Sequence, residues 1–220
     1  MKGYAFFDFD NTLSKGDSIL SFLPFCIRNH YASPFHLIRT GFAWIRKWIT
    51  GTKDYIPVKE TTFSFLKGKS QEEIDEICVR FVDEVLSKRI YPDGKKEIEQ
   101  LREEGYRIIL VSASSDMYMK HITRLLPVET VLATRCEFHD GCYTGKMDIN
   151  CKGEEKVRRI EEALGGLPEA ADCAAYGDSK SDLPMLKLAE RKNLINCRKK
   201  ELLLALPDAE IKYWKVSKTK

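Results

Sequence analysis

Tyr4-Ala5-Phe6-Phe7-Asp8-Phe9-Asp10-Asn11-Thr12-Leu13 holds a short apolar and aromatic run, Tyr4–Phe9, that stops at acidic residues. A near-continuous apolar run of this length suits a parallel strand covered on both faces. If the strand continued, Asp8 and Asp10 would share a face. A turn just after Asp8 instead places both at the carboxyl end of the strand, where open α/β sheets bind ligands. Two carboxylates this close repel unless a cation or a proton lies between them. Taken alone, an Asp-x-Asp pair can also be no more than the acidic close of a strand.

Outward from this stretch, Arg107–Val111 and Asp172–Tyr176, the latter followed by Gly177, read as further buried strands. Helical stripes lie between them, Ile122, Leu125 and Leu126 in one and Val157, Ile160 and Leu164 in another. The alternation predicts a doubly wound α/β fold with a parallel sheet. Residues 18–90 differ in being long and helical in pattern. Their clearest piece is Ser70–Lys88, with Ser70 and Glu73 as a capping box and Ile74, Ile77, Cys78, Phe81, Val82, Val85 and Leu86 at helical steps. Pro92-Asp93-Gly94 then breaks the pattern. The expected organisation is a core of residues 1–17 and 91–220, with a helical cap, 18–90, inserted after the first strand. Phe138–Thr144, around Asp140-Gly141, reads as a small hairpin.

Tyr176-Gly177-Asp178-Ser179-Lys180-Ser181-Asp182 places two more carboxylates, Asp178 and Asp182, at a strand end. Four such groups at one sheet edge call for a bound cation. Oxygen-only ligands favour a hard ion, magnesium or manganese. Ser112 ends the middle strand, and Lys152 sits just before a helix. A hydroxyl and an ammonium are suitable donors to phosphoryl oxygens, although singly each has an ordinary reading as a cap or a surface lysine.

These four elements, in order and at strand ends, resemble the motifs of haloacid dehalogenase-type phosphatases over nearly the whole chain. The likeness is closest to the branch, subfamily IB, whose Rossmann-like core carries a helical cap after the first strand and which includes phosphoserine phosphatase. The resemblance implies Asp8 as nucleophile and metal ligand, and Asp10 as general acid/base with a metal-binding carbonyl. It implies Ser112 and Lys152 as the phosphoryl-binding pair, and Asp178 and Asp182 as further metal anchors for Mg2+. Asp8 would attack phosphorus in line, and Asp10 would protonate the leaving group and then activate water. Asp17 stands where those phosphatases meet the substrate's ammonium, but it also precedes a helical run and can be an N-cap. Two departures bear on a phosphoserine substrate: Ala113-Ser114 where the family usually has two glycines, and Ser181 where it usually has Asn.

The chain has 43% apolar and 31% charged residues and a net charge of +3, a globular balance that argues for no nucleic-acid partner. Seven cysteines at irregular spacing signal neither a zinc knuckle nor a disulfide framework. No signal peptide or spanning helix is read from the sequence, and the expected location is cytoplasmic. The expected substrate is a small soluble phosphate ester of the phosphoserine or histidinol phosphate kind. A lipid phosphate at a membrane surface, a phosphotransferase and a non-catalytic phosphate-binding protein are the alternatives. Oligomeric state is not legible. Pro34–Gly51 mixes aromatic and basic residues, as in an interfacial membrane helix or in a cap helix packed by its apolar face.

Overall fold

Strand β1 (Gly3–Phe7) is buried on both faces because Ala5, Phe6 and Phe7 offer nothing but apolar surface. In the computed structural model, which describes residues 2–216, it lies near the middle of the sheet. After it come helices α1 (Ile19–Arg28), α2 (Phe35–Thr50), α3 (Ile56–Phe63), α4 (Gln71–Glu84) and α5 (Pro92–Glu103). Strand β2 (Tyr106–Ser115), the short helix α6 (Asp116–Met119) and strand β3 (Thr130–Thr134) follow. A hairpin, β4 (Cys136–His139) and β5 (Cys142–Met147), precedes α7 (Glu154–Leu164) and β6 (Cys173–Gly177). The chain closes with α8 (Leu183–Lys187), β7 (Arg191–Ile195), α9 (Lys200–Ala205) and β8 (Glu210–Lys212).

Six strands form one parallel sheet in the order β3-β2-β1-β6-β7-β8. Side chains alternate between its faces. Ala5, Phe7, Ile108, Leu110, Ala174 and Tyr176 join the larger apolar cluster, while Phe6, Ile109, Val111, Cys173 and Ala175 join the other. The doubly wound α/β expectation holds.

Several boundaries differ from the sequence reading. The first strand ends at Phe7, not Phe9. The second runs on through Ser115, so Ser112 lies inside it: the buried Ser114 and Ser115 hydroxyls find partners, and pairing to β3 resumes at Ser115–Thr134. Pro92 occupies the first turn of α5, where a missing N–H costs nothing, so it starts a helix. Gly94 belongs to that helix, and a Cβ there would lie 2.9 Å from the Trp214 ring. The Ile122 stripe falls on a 3₁₀ turn, Lys120–Arg124, with Ile122 and Leu126 buried. On α7 the expected Val157–Ile160–Leu164 row is met in part, with Ile160 buried and Leu164 packed partly buried beside it, but the other fully inward positions are Lys156 and Arg159.

Residues 18–90 form α1 to α4, and their aromatic side chains pack on the sheet domain through Tyr118, whose ring lies 5.5 Å from Phe22 and 5.3 Å from Phe81. The capping box at α4 is present, with Ser70 Oγ accepting from Glu73 N at 3.2 Å and Glu73 Oε2 from Ser70 N at 2.9 Å. The helix itself is shorter than expected, giving way to a 3₁₀ turn at Leu86–Lys88. Asp140 and Gly141, both at positive φ, turn the hairpin. Backbone bonds Gly68 N–Tyr143 O, Tyr143 N–Lys69 O and Gln71 N–Gly141 O attach it to the inserted helices. Where the insert leaves and rejoins the sheet domain, Lys15 N donates to Arg89 O and Tyr91 N to Leu13 O.

Candidate active site

Asp8 follows β1 directly, and its N–H still pairs with Tyr176 O at 2.9 Å, which holds the residue at the carboxyl edge of the sheet. Asn11, at φ 63°, then turns the chain. On the neighbouring strand Gly177 lets Asp182 pack against the backbone: a Cβ at this position would meet Asp182 Cβ at 2.6 Å. Carboxylate oxygens of Asp8, Asp178 and Asp182 thereby lie within 4.8 Å of one another.

The cation beside them is Lys156. Its buried Nζ donates to Asp8 Oδ1 at 2.6 Å, Asp182 Oδ1 at 2.7 Å and Val111 O at 2.8 Å. Lys152, the lysine singled out from the sequence, is exposed, with Nζ 4.6 Å from the centre of the Tyr55 ring and no bond to Asp8. The reason is helical phase. Lys156 stands four residues before the buried Ile160 on the inner face of α7, whereas Lys152 precedes the helix. Arg159, also buried, fixes that helix by donating to Ala133 O at 2.7 Å and Ile149 O at 2.8 Å.

One ammonium faces three carboxylates. Burial pushes the Asp8 carboxyl well above its ordinary value, the Asp182 charge adds to this, and Lys156 opposes both. Burial and then Asp182 push Asp178 up to about 6. Asp182 is held low: burial acts upward, but Lys156 and the Ser179 bonds outweigh it. For Lys156 itself burial acts downward, yet the Asp182 and Asp8 charges keep its pKa above the ordinary lysine value. Asp182 is the most heavily engaged of the three, since Oδ2 accepts from Ser179 N at 3.0 Å, Ser179 Oγ at 2.7 Å and Asp178 N at 3.3 Å, and Oδ1 accepts from Lys156. Among the described residues Asp8 Oδ2 accepts only from Thr12 Oγ1, at 3.2 Å. No hydrogen bond ends on the Asp178 carboxylate or the Asp10 carbonyl among the described residues. This donor set, all oxygen and short of positive charge, fits a hard divalent cation.

Asp10 has different surroundings. Its Oδ1 accepts from Ser18 N at 2.8 Å, and its Oδ2 from Ser18 Oγ at 3.0 Å and Ser114 Oγ at 2.6 Å. Burial, then the Asp17 charge, push it up to about 6 in spite of these bonds. Ser112, also buried, accepts from Ser114 N at 3.1 Å and follows the Val111 carbonyl that receives Lys156. Asp17 accepts from Leu20 N at 3.1 Å, as a helix cap does, and also lines the cavity above Asp10.

That cavity, of about 340 Å³, is walled mainly by apolar residues, among them Ile19, Leu23, Leu37, Trp44 and Val58, with Asp10 and Ser114 at its base. Lys59, unremarked in the sequence, is buried on its wall and donates to Asn150 Oδ1 at 2.6 Å and to Ala113 O. Burial lowers the Lys59 pKa to about 8, with Asp17 and Asp10 acting upward. Ser18, Ser114 and Thr12 were missed as well. Their only signal is nearness in sequence to Asp8, Asp10 and Ser112.

The family model of haloacid dehalogenase-like hydrolases matches residues 5–187. Protein CicA of Caulobacter vibrioides is 29% identical over 188 residues, covering 84% of this chain and 82% of its own. The phosphoserine phosphatase SerB1 of Mycobacterium tuberculosis is 28% identical over 87% of this chain, which spans 64% of that protein. A crystal structure of a protein with unknown function from Bordetella pertussis Tohama I superposes with a TM-score of 0.83 at 24% identity, covering 94% of this chain and 96% of that one.

Proposed function

The chain belongs to the haloacid dehalogenase-like hydrolases, and from that premise we propose that it is a phosphomonoesterase working through phosphorylated Asp8. One observation carries the reading: Lys156 bridges Asp8 and Asp182 at the sheet edge, while Asp10, two residues on, is held apart from them by Ser18 and Ser114. A nucleophile and a proton carrier are thus separated in charge environment though adjacent in sequence.

Asp8, Asp178 and the Asp10 carbonyl would hold Mg2+, with Asp182 positioning Lys156; the ion's charge would offset repulsion between Asp8 and a phosphate dianion. Lys156 keeps one Asp8 oxygen oriented, leaving the other to attack phosphorus. As the new P–O bond forms, the bond to the leaving oxygen breaks and takes the proton of Asp10. Water then attacks the phosphorus, Asp10 recovers a proton from it, and the bond to Asp8 breaks, releasing phosphate. Ser112 beside this centre is the proposed hydrogen-bond donor to the phosphoryl oxygens, and Lys152 has the farther place, on the cavity wall.

The inserted helices are the proposed cap, and they supply most of the cavity wall above Asp10. A small ester of the phosphoserine or histidinol phosphate kind would place its amine toward Asp17. The predominantly apolar lining also favours a second reading, an ester with a bulkier apolar leaving group. All seven cysteines are free thiols, which suits the cytoplasm as the proposed compartment.

The test is turnover of a panel of phosphomonoesters with Mg2+, together with acid quenching to look for phosphate on Asp8. Asp8→Asn should show neither turnover nor label. Asp10→Asn should bind metal but turn over at least a hundredfold more slowly. Full activity in either variant would overturn the mechanism. The ratio of kcat/KM for phosphoserine against an alkyl phosphate decides between the substrate readings.

A further inference from the structure

Helix α2 is turned inside out relative to an ordinary cap helix. None of its residues is buried. Its inward positions are small or polar, His36, Thr40, Gly41, Ala43 and Lys47, the last with its Nζ 3.9 Å from the centre of the Tyr55 ring, and apart from Leu37 and Trp44 at the cavity edge the bulky ones face solvent. Phe35, Ile38, Phe42, Ile45, Trp48 and Ile49 are all more than half exposed, with Trp48 at 84%. At helical spacing Ile38, Phe42, Ile45 and Ile49 form one continuous stripe, flanked by Trp48 on one side and by Arg39 and Arg46 on the other. An uncovered apolar stripe of this size marks an interaction surface.

Charge identifies what covers it. From Ser18 to Lys53 there is no Asp or Glu, whereas Arg28, Arg39, Arg46, Lys47 and Lys53 are all basic. Arg39, Arg46 and Lys47 gather along one groove between α2 and α3, and none of the three is ion-paired among the described residues. A tryptophan beside an apolar stripe edged with arginines is the pattern of a helix lying in a lipid headgroup layer. No helix among the described residues is long and apolar enough to cross a membrane, so such a helix lies on the surface.

We infer that α2 seats the protein on an anionic membrane, apolar stripe in the acyl boundary and Arg39 and Arg46 among the headgroups. This reading is independent of the chemistry at Asp8. The other edge of α2, through Leu37, Thr40, Gly41 and Trp44, lines the cavity above Asp10, so the seated protein holds that cavity next to the lipid surface.

The experiment is co-sedimentation of the full chain with vesicles of phosphatidylcholine, with and without phosphatidylglycerol, alongside tryptophan emission. The wild type should bind the anionic vesicles, shift its emission to the blue and release as salt rises. The double variant Phe42→Glu/Ile49→Glu should lose binding by about tenfold or more, and so should Arg39→Glu/Arg46→Glu. Both should hydrolyse a small aryl phosphate at the wild-type rate, which shows that they fold and separates this test from that of the mechanism. Failure of the wild type to bind anionic vesicles would sink the inference, as would equal binding by the variants. A concentration-dependent dimer that Phe42→Glu/Ile49→Glu dissolves, with no vesicle binding, would assign the stripe to a second copy of the chain instead.

Discussion

Removing the ammonium at Lys156 leaves Asp8 and Asp182 facing one another without a counter-charge in a buried site. Lys156→Met should therefore lower kcat on an aryl phosphate by two orders of magnitude or more. It should also cost about 3 kcal/mol in stability, the usual loss when one member of a buried ion set goes. Lys152→Met should leave both nearly unchanged. The reverse pattern in kcat and Tm would restore the sequence-based choice of Lys152. The four aspartates were legible because each closes or follows an apolar strand. The lysine was not: within Glu154–Leu164 it looks like one more charge on a solvated face, and only the three-dimensional phase of the helix turns it inward. Lys59 was hidden in the same way, in a short helix with no apolar stripe to mark which side faces in. Its pKa, lowered from 10.5 to about 8 by burial, makes a pH prediction. Between those two values the unfolded chain binds more protons than the folded one, so the Lys59 contribution to stability rises with pH across that window. The stability of the wild type relative to Lys59→Met should shift in its favour by on the order of 3 kcal/mol from pH 7 to pH 10.5. Denaturant titrations at the two pH values check this, and a difference that stays flat would place a charged Lys59 in water.

At the scale of elements, the capping box of α4 is a local device with a local effect. Ser70→Ala should cost about 1 kcal/mol in a denaturant titration and leave kcat unaltered, because Ser70 touches no site residue. Strands β1, β2 and β6 could be read from their apolar runs because both of their faces are covered. The strand beyond them, β7, begins Arg191-Lys192-Asn193, and its buried Asn193 is satisfied by the Ala175 and Arg191 carbonyls. Only Leu194 and Ile195 at its end are apolar, too short a run to announce a strand, and β8, three residues long at the sheet edge, is fainter still. Pro92 misled for a related reason: proline ends a helix when it falls inside one but fits the first turn of the next.

For the molecule as a whole, a cation bound at Asp8 and Asp178 would relieve the charge imbalance of the site and so favour the folded state. Adding Mg2+ should raise the Tm of the wild type but not that of Asp178→Asn, and chelation should abolish turnover. Calcium should bind without supporting turnover, since its looser coordination disturbs in-line attack. A Tm indifferent to Mg2+, with activity surviving chelation, would show that the aspartate cluster is no metal site. The hairpin β4–β5 bears on how the cavity over Asp10 opens. It leaves the sheet domain between β3 and α7, yet its backbone is stitched to residues 68–71 of the inserted helices. A lid of residues 18–90 alone would have to tear three main-chain bonds to swing. The hairpin must therefore travel as part of the moving body, which is then crossed by four chain segments instead of two: near residues 14–17, 89–91, 134–136 and 147–150. Two of these are already zipped together through Lys15–Arg89 and Leu13–Tyr91. If the inserted helices and the hairpin move as one such body, its seam amides at Gly68, Gln71 and Tyr143 should exchange with deuterium no faster than those of the α4 interior.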